Sequence, residues 1–501
     1  MRIAIQNKRD KIIYAGLFII ALAVVFSSTY NPLNFRRMHV DSSVYMTIAQ
    51  GITRGQLPYR DFVDNKGPLA YLLSVPGLML GRFTGVWVTE LVLMCVSIFF
   101  AYKTALFFGS KFKALLGTVC GFVVFLAFFT VAAGTEEYSL PFLMISLYLF
   151  TKYYFSPERD IGLFELIALD ICFACAVLIR LNMFPLWVGF CTVIVVESIT
   201  KRRFALLGKC VFGFCLGIMI AAVPVFLYLK LNGIMADFFY QVIKGGAAQG
   251  FSASGLKQLA KNIFIVINRS YSFAPLFYGF FMLITKYKQN SFSFYLGYTF
   301  SYILMVVFLS FSSGDSHYNV ALVPFFVPAF TSFVETVYAA FSGVRRRNAL
   351  LVFFLCVVFS EGLFKYLDDL TEMFYNDSGT QLIKAGKTID ENTREDDKII
   401  SLGINGYIYP FNQRKAVSKY IYQGSGIDHL PGAREEFLSD VLNNKPAVIA
   451  IFSEDDLRYD YLPGWYAPVY AMIAAEYRLL SDEHGFYLFI RTASSAPEIR
   501  P

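Results

Sequence analysis

The chain has 501 residues, of which 56% are hydrophobic, 18% aromatic and only 16% charged, and its formal net charge is +7. With a mean hydropathy of +0.52 and apolar runs of about twenty residues, this composition excludes an ordinary soluble protein and indicates a polytopic α-helical membrane protein. The basic residues lie in short clusters between apolar runs, as membrane orientation requires, so the positive charge does not indicate nucleic-acid binding.

The apolar runs predict about eleven membrane spans. They cover residues 12–26, 86–108, 114–133, 138–154, 163–179, 184–196, 204–229, 263–284, 292–311, 320–341 and 350–366. The first run follows several basic residues and has no small-residue cleavage site, which favours an uncleaved span with a cytoplasmic N-terminus. Residues 68–82 are apolar but broken by Pro76, Gly77 and Gly81, and are predicted to form an interfacial helix on the outer side. This assignment keeps the strongest basic clusters inside, so we expect a multi-pass protein of the cytoplasmic membrane.

The composition changes at about residue 368, where charged residues and asparagine become frequent. We therefore predict a membrane module at residues 1–367, with an external loop at 31–85, and a small extracytoplasmic α/β domain at 368–501. Strands are predicted at 398–402, 447–452 and 487–491, a helix at 434–442 and a turn at 482–485. All eight cysteines lie within predicted spans, so this domain needs no disulfide.

The first long polar interval, residues 38–71, contains most of the candidate chemistry. Asp41 opens a helical pattern of about fourteen residues, which is too short to cross a bilayer and is predicted to lie on its surface. Charged residues then follow closely at Arg60, Asp61, Asp64 and Lys66. Ionisable residues at a membrane surface between two apolar runs suit a reaction on a lipid-borne substrate.

This interval resembles the first external loop of the GT-C membrane glycosyltransferases, in the branch of the protein O-mannosyltransferases and the lipid A aminoarabinose transferase. The residues that carry the resemblance are Asp41, Tyr45, Gly55, Pro58-Tyr59, Asp61, Asp64 and Lys66-Gly67-Pro68. Shorter matches follow in the same succession of spans at residues 135–138, 180–182 and 317–318. The resemblance implies a GT-C-like fold. It also implies a glycosyltransferase that moves a sugar from a polyprenyl-phosphate donor to a hydroxyl of a glycan, lipid or protein outside the membrane.

Asp41 is the candidate catalytic residue, because the resemblance places it at the loop carboxylate that acts as base or orients the acceptor. A positioned carboxylate can take the proton that an acceptor hydroxyl loses during transfer. The alternative is structural, since aspartate is a favoured N-cap and Asp41 stands where the helical pattern starts.

Lys66 and Arg180 are the candidate donor-phosphate ligands. The resemblance matches Lys66 to a lysine that approaches the donor phosphate, and a leaving phosphate needs a nearby cation as its charge grows. The alternative for Lys66 is a solvated lysine paired with Asp64. Arg180 follows an apolar run with no cytoplasmic cluster nearby, and a charge there needs a partner.

The remaining candidates are predicted to bind the acceptor or the sugar. They are Asp64, Glu136, Glu137, His317 and Tyr318. The acidic members could also hold a divalent cation, mark a membrane boundary or serve the fold. None of these residues has a recognisable metal-ligand spacing, so a metal and any other cofactor stay open.

The rival to an enzyme is a transporter or flippase for a lipid-linked glycan. That class favours ionisable and Gly/Pro-broken positions near the middle of the membrane. Here the candidates gather at the outer ends of predicted spans, and there is no Walker loop, dinucleotide fingerprint or nucleophile elbow. A glycosyltransferase is therefore the favoured interpretation.

Overall fold

The computed structural model describes residues 2–129, 132–246, 253–269, 271–311, 314–341, 343–404, 406–423, 427, 430–452, 464–483 and 485–492. The helices that end by residue 231 are, in chain order, α1 (Arg2–Phe26), α2 (Val40–Thr53), α3 (Leu69–Leu72), α4 (Val75–Ala105), α5 (Lys111–Phe128), α6 (Thr135–Phe155), α7 (Leu163–Ile179), α8 (Pro185–Thr200) and α9 (Phe204–Leu231). The next helices are α10 (Met235–Phe238), continued by a π-helical stretch (Phe239–Gly245), α11 (Ala253–Asn268), α12 (Phe273–Thr285), α13 (Phe292–Leu309), α14 (Val323–Ala340) and α15 (Val344–Tyr375).

Six helical segments in the described part of the chain are long and apolar enough to cross a membrane. They are Val75–Ala105, Lys111–Phe128, Phe204–Leu231, Phe292–Leu309, Ser316–Ala340 and Val344–Tyr375. The other predicted spans correspond to shorter or more polar helices, so the number of crossings stays a prediction. The chain is a mainly helical membrane protein with a small C-terminal sheet domain, as the composition predicts.

The degree of burial separates helices at the centre of the bundle from helices at its rim. In its apolar stretch, Ser316–Ala340 is 78% buried, whereas Val344–Tyr375 is 17% buried. Large apolar side chains such as Phe353 and Phe364 are exposed on this outer helix. A soluble protein does not expose apolar surface of this extent, and lipid is the solvent that suits it.

The predicted span 263–284 differs from the structure, which divides it into α11 and α12. The helix is interrupted at Tyr271, which has a left-handed backbone with φ of 63°. The interruption is held by hydrogen bonds from other segments: Tyr302 Oη donates to the carbonyl of Ser272, and Asn319 Nδ2 donates to its hydroxyl at 3.1 Å. A long apolar run conceals such a break because its polar contacts come from distant residues.

α4 bends sharply at Gly81 and Arg82, whose backbone angles are not helical. A Cβ added at Gly85 would lie 2.0 Å from the carbonyl oxygen of Gly77, so the two backbones are in direct contact across the bend. Residues 75–80 therefore form a separate short helix before the longer apolar segment. This agrees with the predicted separation of residues 68–82 from the following span.

The C-terminal residues form a five-stranded sheet with helices. Its elements are α16 (Ser378–Glu391), β1 (Lys398–Leu402), β2 (Lys415–Ala416), α17 (Ala433–Asn444), β3 (Val448–Phe452), α18 (Ala467–Glu476), β4 (Tyr477–Ser481) and β5 (Phe486–Arg491). The strand order is β2-β1-β3-β5-β4, with β1 parallel to β2 and β3 and with β5 antiparallel to β3 and β4. The predicted strands at 398–402, 447–452 and 487–491 correspond to β1, β3 and β5. The predicted helix at 434–442 corresponds to α17.

Two edge strands and two helices of this domain are absent from the prediction. β2 has only two residues, and only Tyr477 of β4 is buried, so neither strand has a continuous buried apolar run. The predicted boundary at 367/368 falls inside α15, which continues to Tyr375. The predicted turn at 482–485 includes a residue outside the described ones, and the division into domains stays a prediction.

The sheet domain covers the polar face of α2. The Gly406 amide donates to the Ser43 hydroxyl at 3.0 Å, and the Thr47 hydroxyl donates to the Gly406 carbonyl at 3.4 Å. Ser42 and Ser43 are fully buried. The polar face of α2 therefore contacts protein, and the position of this helix on the membrane surface stays a prediction.

Candidate active site

α2 begins at Val40, and its N-cap is His39, whose Nδ1 accepts a hydrogen bond from the Asp41 amide at 3.3 Å. The alternative that Asp41 is the N-cap is wrong, since His39 occupies that position. The Asp41 carboxylate is left for other contacts: Oδ2 lies 3.5 Å from the Tyr45 hydroxyl and 3.9 Å from Nε2 of His317. Its side chain remains 38% exposed, so a substrate can reach it.

The charges around Asp41 determine its protonation. Burial would raise the pKa of Asp41, but the positive charge of Lys66, with smaller contributions from His317, His39 and Arg180, holds this pKa below the usual aspartate range. Asp41 is therefore a carboxylate at neutral pH. It can accept a proton or a hydrogen bond from a hydroxyl group.

Lys66 lies beside Asp41 because its backbone is held from several sides. Its carbonyl accepts hydrogen bonds from the hydroxyls of Tyr59 at 2.8 Å and Tyr71 at 3.4 Å. Its Nζ donates to Oδ1 of Asn65 at 2.6 Å and lies 5.9 Å from the centroid of the Tyr45 ring. Across the described chain, no ion pair within 4.0 Å joins Lys66 to Asp64, so the structure does not support that pairing.

Gly67 brings Lys66 close to the end of α7. Its amide donates to the carbonyl of Ile179 at 3.0 Å, and an added Cβ would lie only 2.0 Å from the carbonyl oxygen of Leu178. Only glycine allows the two backbones to approach this closely. The loop that carries Lys66 and the segment that carries Arg180 are therefore in contact at Gly67.

Asp64 is 3% exposed and is enclosed by hydrogen-bond donors. Tyr71 Oη donates to Oδ2 and the Asn65 amide donates to Oδ1, each at 2.7 Å. Burial raises the pKa of Asp64, against the opposing charge of Lys66 and these hydrogen bonds. Tyr422 of the C-terminal domain also lies close to this carboxyl group, and burial together with the charge of Asp64 raises the pKa of Tyr422. Asp64 thus fixes the loop that carries Lys66.

Arg180 and Glu136 form a buried ion pair, with side-chain exposures of 10% and 4%. Thr135 donates to Oε2 of Glu136 at 2.9 Å and accepts from Arg180 at 3.4 Å. The guanidinium carbon lies 4.3 Å from the centroid of the Tyr318 ring. Arg180 thus has one face on an aromatic ring and an edge on a carboxylate, an arrangement that stabilises a cation removed from water.

Glu137 differs from its neighbour because it faces a second buried acid, Glu90. Glu137 is 4% exposed and Glu90 is 1% exposed, and Ser28 donates to Oε2 of Glu90 at 2.7 Å. Glu90 is not among the predicted site residues. The signal that could have indicated it is a single glutamate within the apolar sequence of α4, since an acid at such a position requires a partner.

The rings of His317 and His39 lie close together beside Asp41. Their centroids are 5.7 Å apart, and the ring of Tyr318 is 4.2 Å from that of His317. His39 is not among the predicted site residues, and its position immediately before the helical pattern is the local signal that could have indicated it. Of the predicted residues, the structure groups Asp41, Lys66, Arg180, His317 and Tyr318, and sets Asp64, Glu136 and Glu137 behind them.

A cavity of about 240 Å³ opens on the other side of His39. Its polar lining includes Arg36, Arg37, Asp369 and Glu372. Within the part of the chain that the structure describes, no set of three or more His, Cys, Asp or Glu side chains is arranged to hold a metal ion. The site therefore has a carboxylate, Asp41, and two cationic side chains, Lys66 and Arg180. The use of a divalent cation stays an untested expectation.

Known structures share this architecture. ArnT from Cupriavidus metallidurans bound to undecaprenyl phosphate aligns with a TM-score of 0.60 and 14% identity, over 96% of this chain and 99% of that one. The chain has the GT-C fold. The resemblance to GT-C glycosyltransferases drawn from the sequence is therefore confirmed at the level of fold.

A second GT-C structure supports the same conclusion. The oligosaccharyltransferase AglB from Archaeoglobus fulgidus, in complex with an inhibitory peptide and a dolichol-phosphate, aligns with a TM-score of 0.51 and 13% identity. This alignment covers 98% of the chain and 75% of AglB. No protein-family model matches the sequence, and no curated protein matches it significantly. At these identities the likeness to GT-C proteins concerns the fold, and the chemistry has to be argued from the site.

Proposed function

We propose that this GT-C protein is a membrane glycosyltransferase that moves a sugar from a polyprenyl-phosphate donor to an acceptor hydroxyl. The observation that carries the proposal is an accessible, ionised Asp41 with Lys66 and Arg180 close by. ArnT and AglB support the donor class, since their structures contain undecaprenyl phosphate and a dolichol-phosphate.

The proposed reaction is a direct displacement with inversion at the anomeric carbon. Asp41 takes the proton of the acceptor hydroxyl as its oxygen forms a bond to the anomeric carbon. The bond from that carbon to the phosphate oxygen breaks, and its electron pair stays on the departing polyprenyl phosphate. Lys66 stabilises this phosphate increasingly as its charge grows, so its contribution is greater in the transition state than in the ground state.

Arg180 has a supporting role in this proposal. Its charge is partly satisfied by Glu136, so it contributes less than Lys66 to a new anion while it keeps the local potential positive. His317 and Tyr318 close the site around Asp41 and are placed to contact the sugar or the acceptor. The orientation that fits this chemistry has the site and the C-terminal domain outside the cytoplasmic membrane, where the donor arrives by lateral diffusion.

The decisive experiment supplies the purified protein, reconstituted in liposomes, with a radiolabelled polyprenyl-phosphate sugar or the matching nucleotide sugar. A heat-treated cell-envelope extract provides acceptors, and no other enzyme is present. We expect label transfer and release of polyprenyl phosphate with the lipid-linked donor only. Transfer from the nucleotide sugar alone would refute the proposal, as would movement of an intact lipid-linked donor across the membrane without any transfer.

A further inference from the structure

A second cavity, of about 380 Å³, lies between the loop that follows α2 and the edge of the C-terminal sheet. Its basic and hydrogen-bonding side chains are Arg60, Lys398, Lys415, Lys419, Gln56 and Ser418. Asp61 is the single acidic residue of its described lining. The cavity is separate from the site around Asp41 and is large enough for a small polar ligand.

Two of these cations are held side by side by the sheet. Lys398 on β1 is the register partner of Lys415 on the parallel edge strand β2, and both side chains are exposed. Register partners on neighbouring strands project from the same face, so the two ammonium groups repel each other. In the part of the chain that the structure describes, no carboxylate lies within 4.0 Å of either lysine. An anion bound between them would relieve this repulsion.

The carboxylates near the cavity are paired with its other two cations. Asp61 accepts from the Leu57 amide at 2.7 Å and from Nε of Arg60 at 3.3 Å. Lys419 is paired with Glu436, with 2.7 Å between Nζ and Oε1. The excess positive charge of the lining is therefore that of the two lysines on β1 and β2, and it attracts an anionic ligand.

The cavity borders the loop that carries Asp64 and Lys66. The Val63 amide donates to the carbonyl of Lys419 at 3.0 Å, and Val63 precedes Asp64 in the chain. Three residues beyond Lys419, Tyr422 lies close enough to the Asp64 carboxyl group for the two to interact electrostatically. The segment that lines the cavity is therefore in direct contact with the loop that positions Lys66 in the candidate active site.

We propose that this cavity binds an anionic group, a phosphate or a carboxylate, carried by the acceptor glycan. The inference rests on the proposed function and deepens it, because it assigns the acceptor to the class of negatively charged glycans. Lys398 and Lys415 hold the anionic substituent, and Gln56 and Ser418 supply hydrogen bonds to the sugar ring. The reacting hydroxyl belongs to another sugar of the same glycan and lies at Asp41.

The test measures binding to the full-length protein in nanodiscs of neutral phosphatidylcholine. The fluorescent probes are phosphorylated maltotetraose, tetragalacturonate and, as the neutral control, maltotetraose. We expect at least one anionic probe to bind more tightly than maltotetraose, with an affinity that falls as salt is added. Equal affinity for all three probes, or no binding of any, would overturn the proposal.

Matched variants assign the binding to the cavity. Lys398→Gln with Lys415→Gln should raise the Kd of the anionic probe about tenfold, because two charged contacts are lost. The control pair Lys384→Gln with Lys387→Gln removes the same charge from exposed positions on α16 and should leave the Kd unchanged. Equal effects of the two pairs would show a general charge effect and would contradict the proposed site.

Two further measurements distinguish a glycan site from a lipid site and separate binding from catalysis. Replacing part of the phosphatidylcholine by phosphatidylglycerol should not displace the probe, and displacement would assign the cavity to a lipid headgroup instead of a glycan. Asp41→Asn should bind the anionic probe as the unmodified protein does. Probe binding therefore tests the cavity even if no transfer from a polyprenyl-phosphate sugar is observed. The proposed function and the proposed cavity ligand can each be refuted independently of the other.

Discussion

The amide of Gly67 donates a hydrogen bond to the carbonyl of Ile179, with 3.0 Å between nitrogen and oxygen. This bond joins the residue after Lys66 to the residue before Arg180. It therefore fixes the separation of two cations that are more than a hundred positions apart in the sequence. Neither the loop nor α7 could position both of them alone.

Gly67→Ala should disrupt this junction, because the new methyl group would lie 2.0 Å from the Leu178 carbonyl. We expect a loss of about 1–3 kcal/mol in the free energy of unfolding, as for other overpacked sites, and a larger relative loss of transfer. Thermal unfolding in detergent and transfer assays measure the two effects. Gly208→Ala, where nothing lies within 4 Å of the added atom, is the control. Full activity in Gly67→Ala would show that the close approach is dispensable.

Asp41→Asn should leave the protein folded and reduce transfer by roughly 10²–10⁴-fold, the usual contribution of a general base. Asparagine keeps the size of the side chain and cannot accept the proton. The helix start should be unaffected because the N-cap is His39. Turnover of the lipid-linked donor and the thermal unfolding temperature are the readouts. Near-normal turnover in this variant would move the role of base to another residue.

The pH dependence of kcat/KM should report the pKa of Asp41. Its ionised form is the active one, so activity is lost as the pH falls through this pKa, which Lys66 and its neighbours hold below the usual aspartate range. We therefore expect a flat profile at neutral and mildly acidic pH, with the acid limb of the profile below the usual range of an aspartate. Lys66→Gln removes positive charge, so the acid limb should move to higher pH while the maximum falls. An acid limb that stays at the same pH in Lys66→Gln would mean that Lys66 does not lower the pKa of Asp41.

Arg180→Met should leave Glu136 as an unpaired buried charge and cost about 3–5 kcal/mol in the free energy of unfolding. Adding Glu136→Gln should recover most of that stability, because no uncompensated charge remains. Transfer should stay low in the double variant if Arg180 assists the donor phosphate. Recovery of both stability and transfer would assign the pair to the fold alone.

The proposed orientation predicts the behaviour of reporter fusions. A reporter that is active only outside the cytoplasm should work when fused after Pro501 and fail when inserted after Arg346, since the apolar part of α15 lies between the two positions. The result depends on membrane sidedness and not on catalysis. An inactive C-terminal fusion with an active one after Arg346 would place the sheet domain in the cytoplasm.

The parts of the fold that the sequence predicts are those with a strong local pattern. Buried strands such as β1 and β3 have continuous apolar runs, and the long apolar helices overlap predicted spans although their ends differ. The short edge strand β2 and the break at Tyr271 depend on partners distant in the chain, so no local pattern marks them. The coverage of α2 by Gly406 belongs to the same class of long-range contacts.

The site was predicted in composition but not in arrangement. Asp41, Lys66 and Arg180 were found through their resemblance to a known loop and through the cost of charge at a membrane boundary. Their grouping depends on the bond between Gly67 and Ile179, which links distant segments and leaves no periodic signal. Glu90 stands alone in an apolar helix, and no local pattern links it to Ser28, which donates to it, or places it beside Glu137.

The bend in α4 has a consequence for how this protein can change over time. The backbones of the short and the long segment of α4 touch at Gly77 and Gly85, two residues without side chains. A larger residue at either position would push the short helix away from the long one and displace α3, which follows Lys66 directly. The position of Lys66 is therefore sensitive to substitutions in apolar sequence, where a comparison of polar residues alone would find nothing altered.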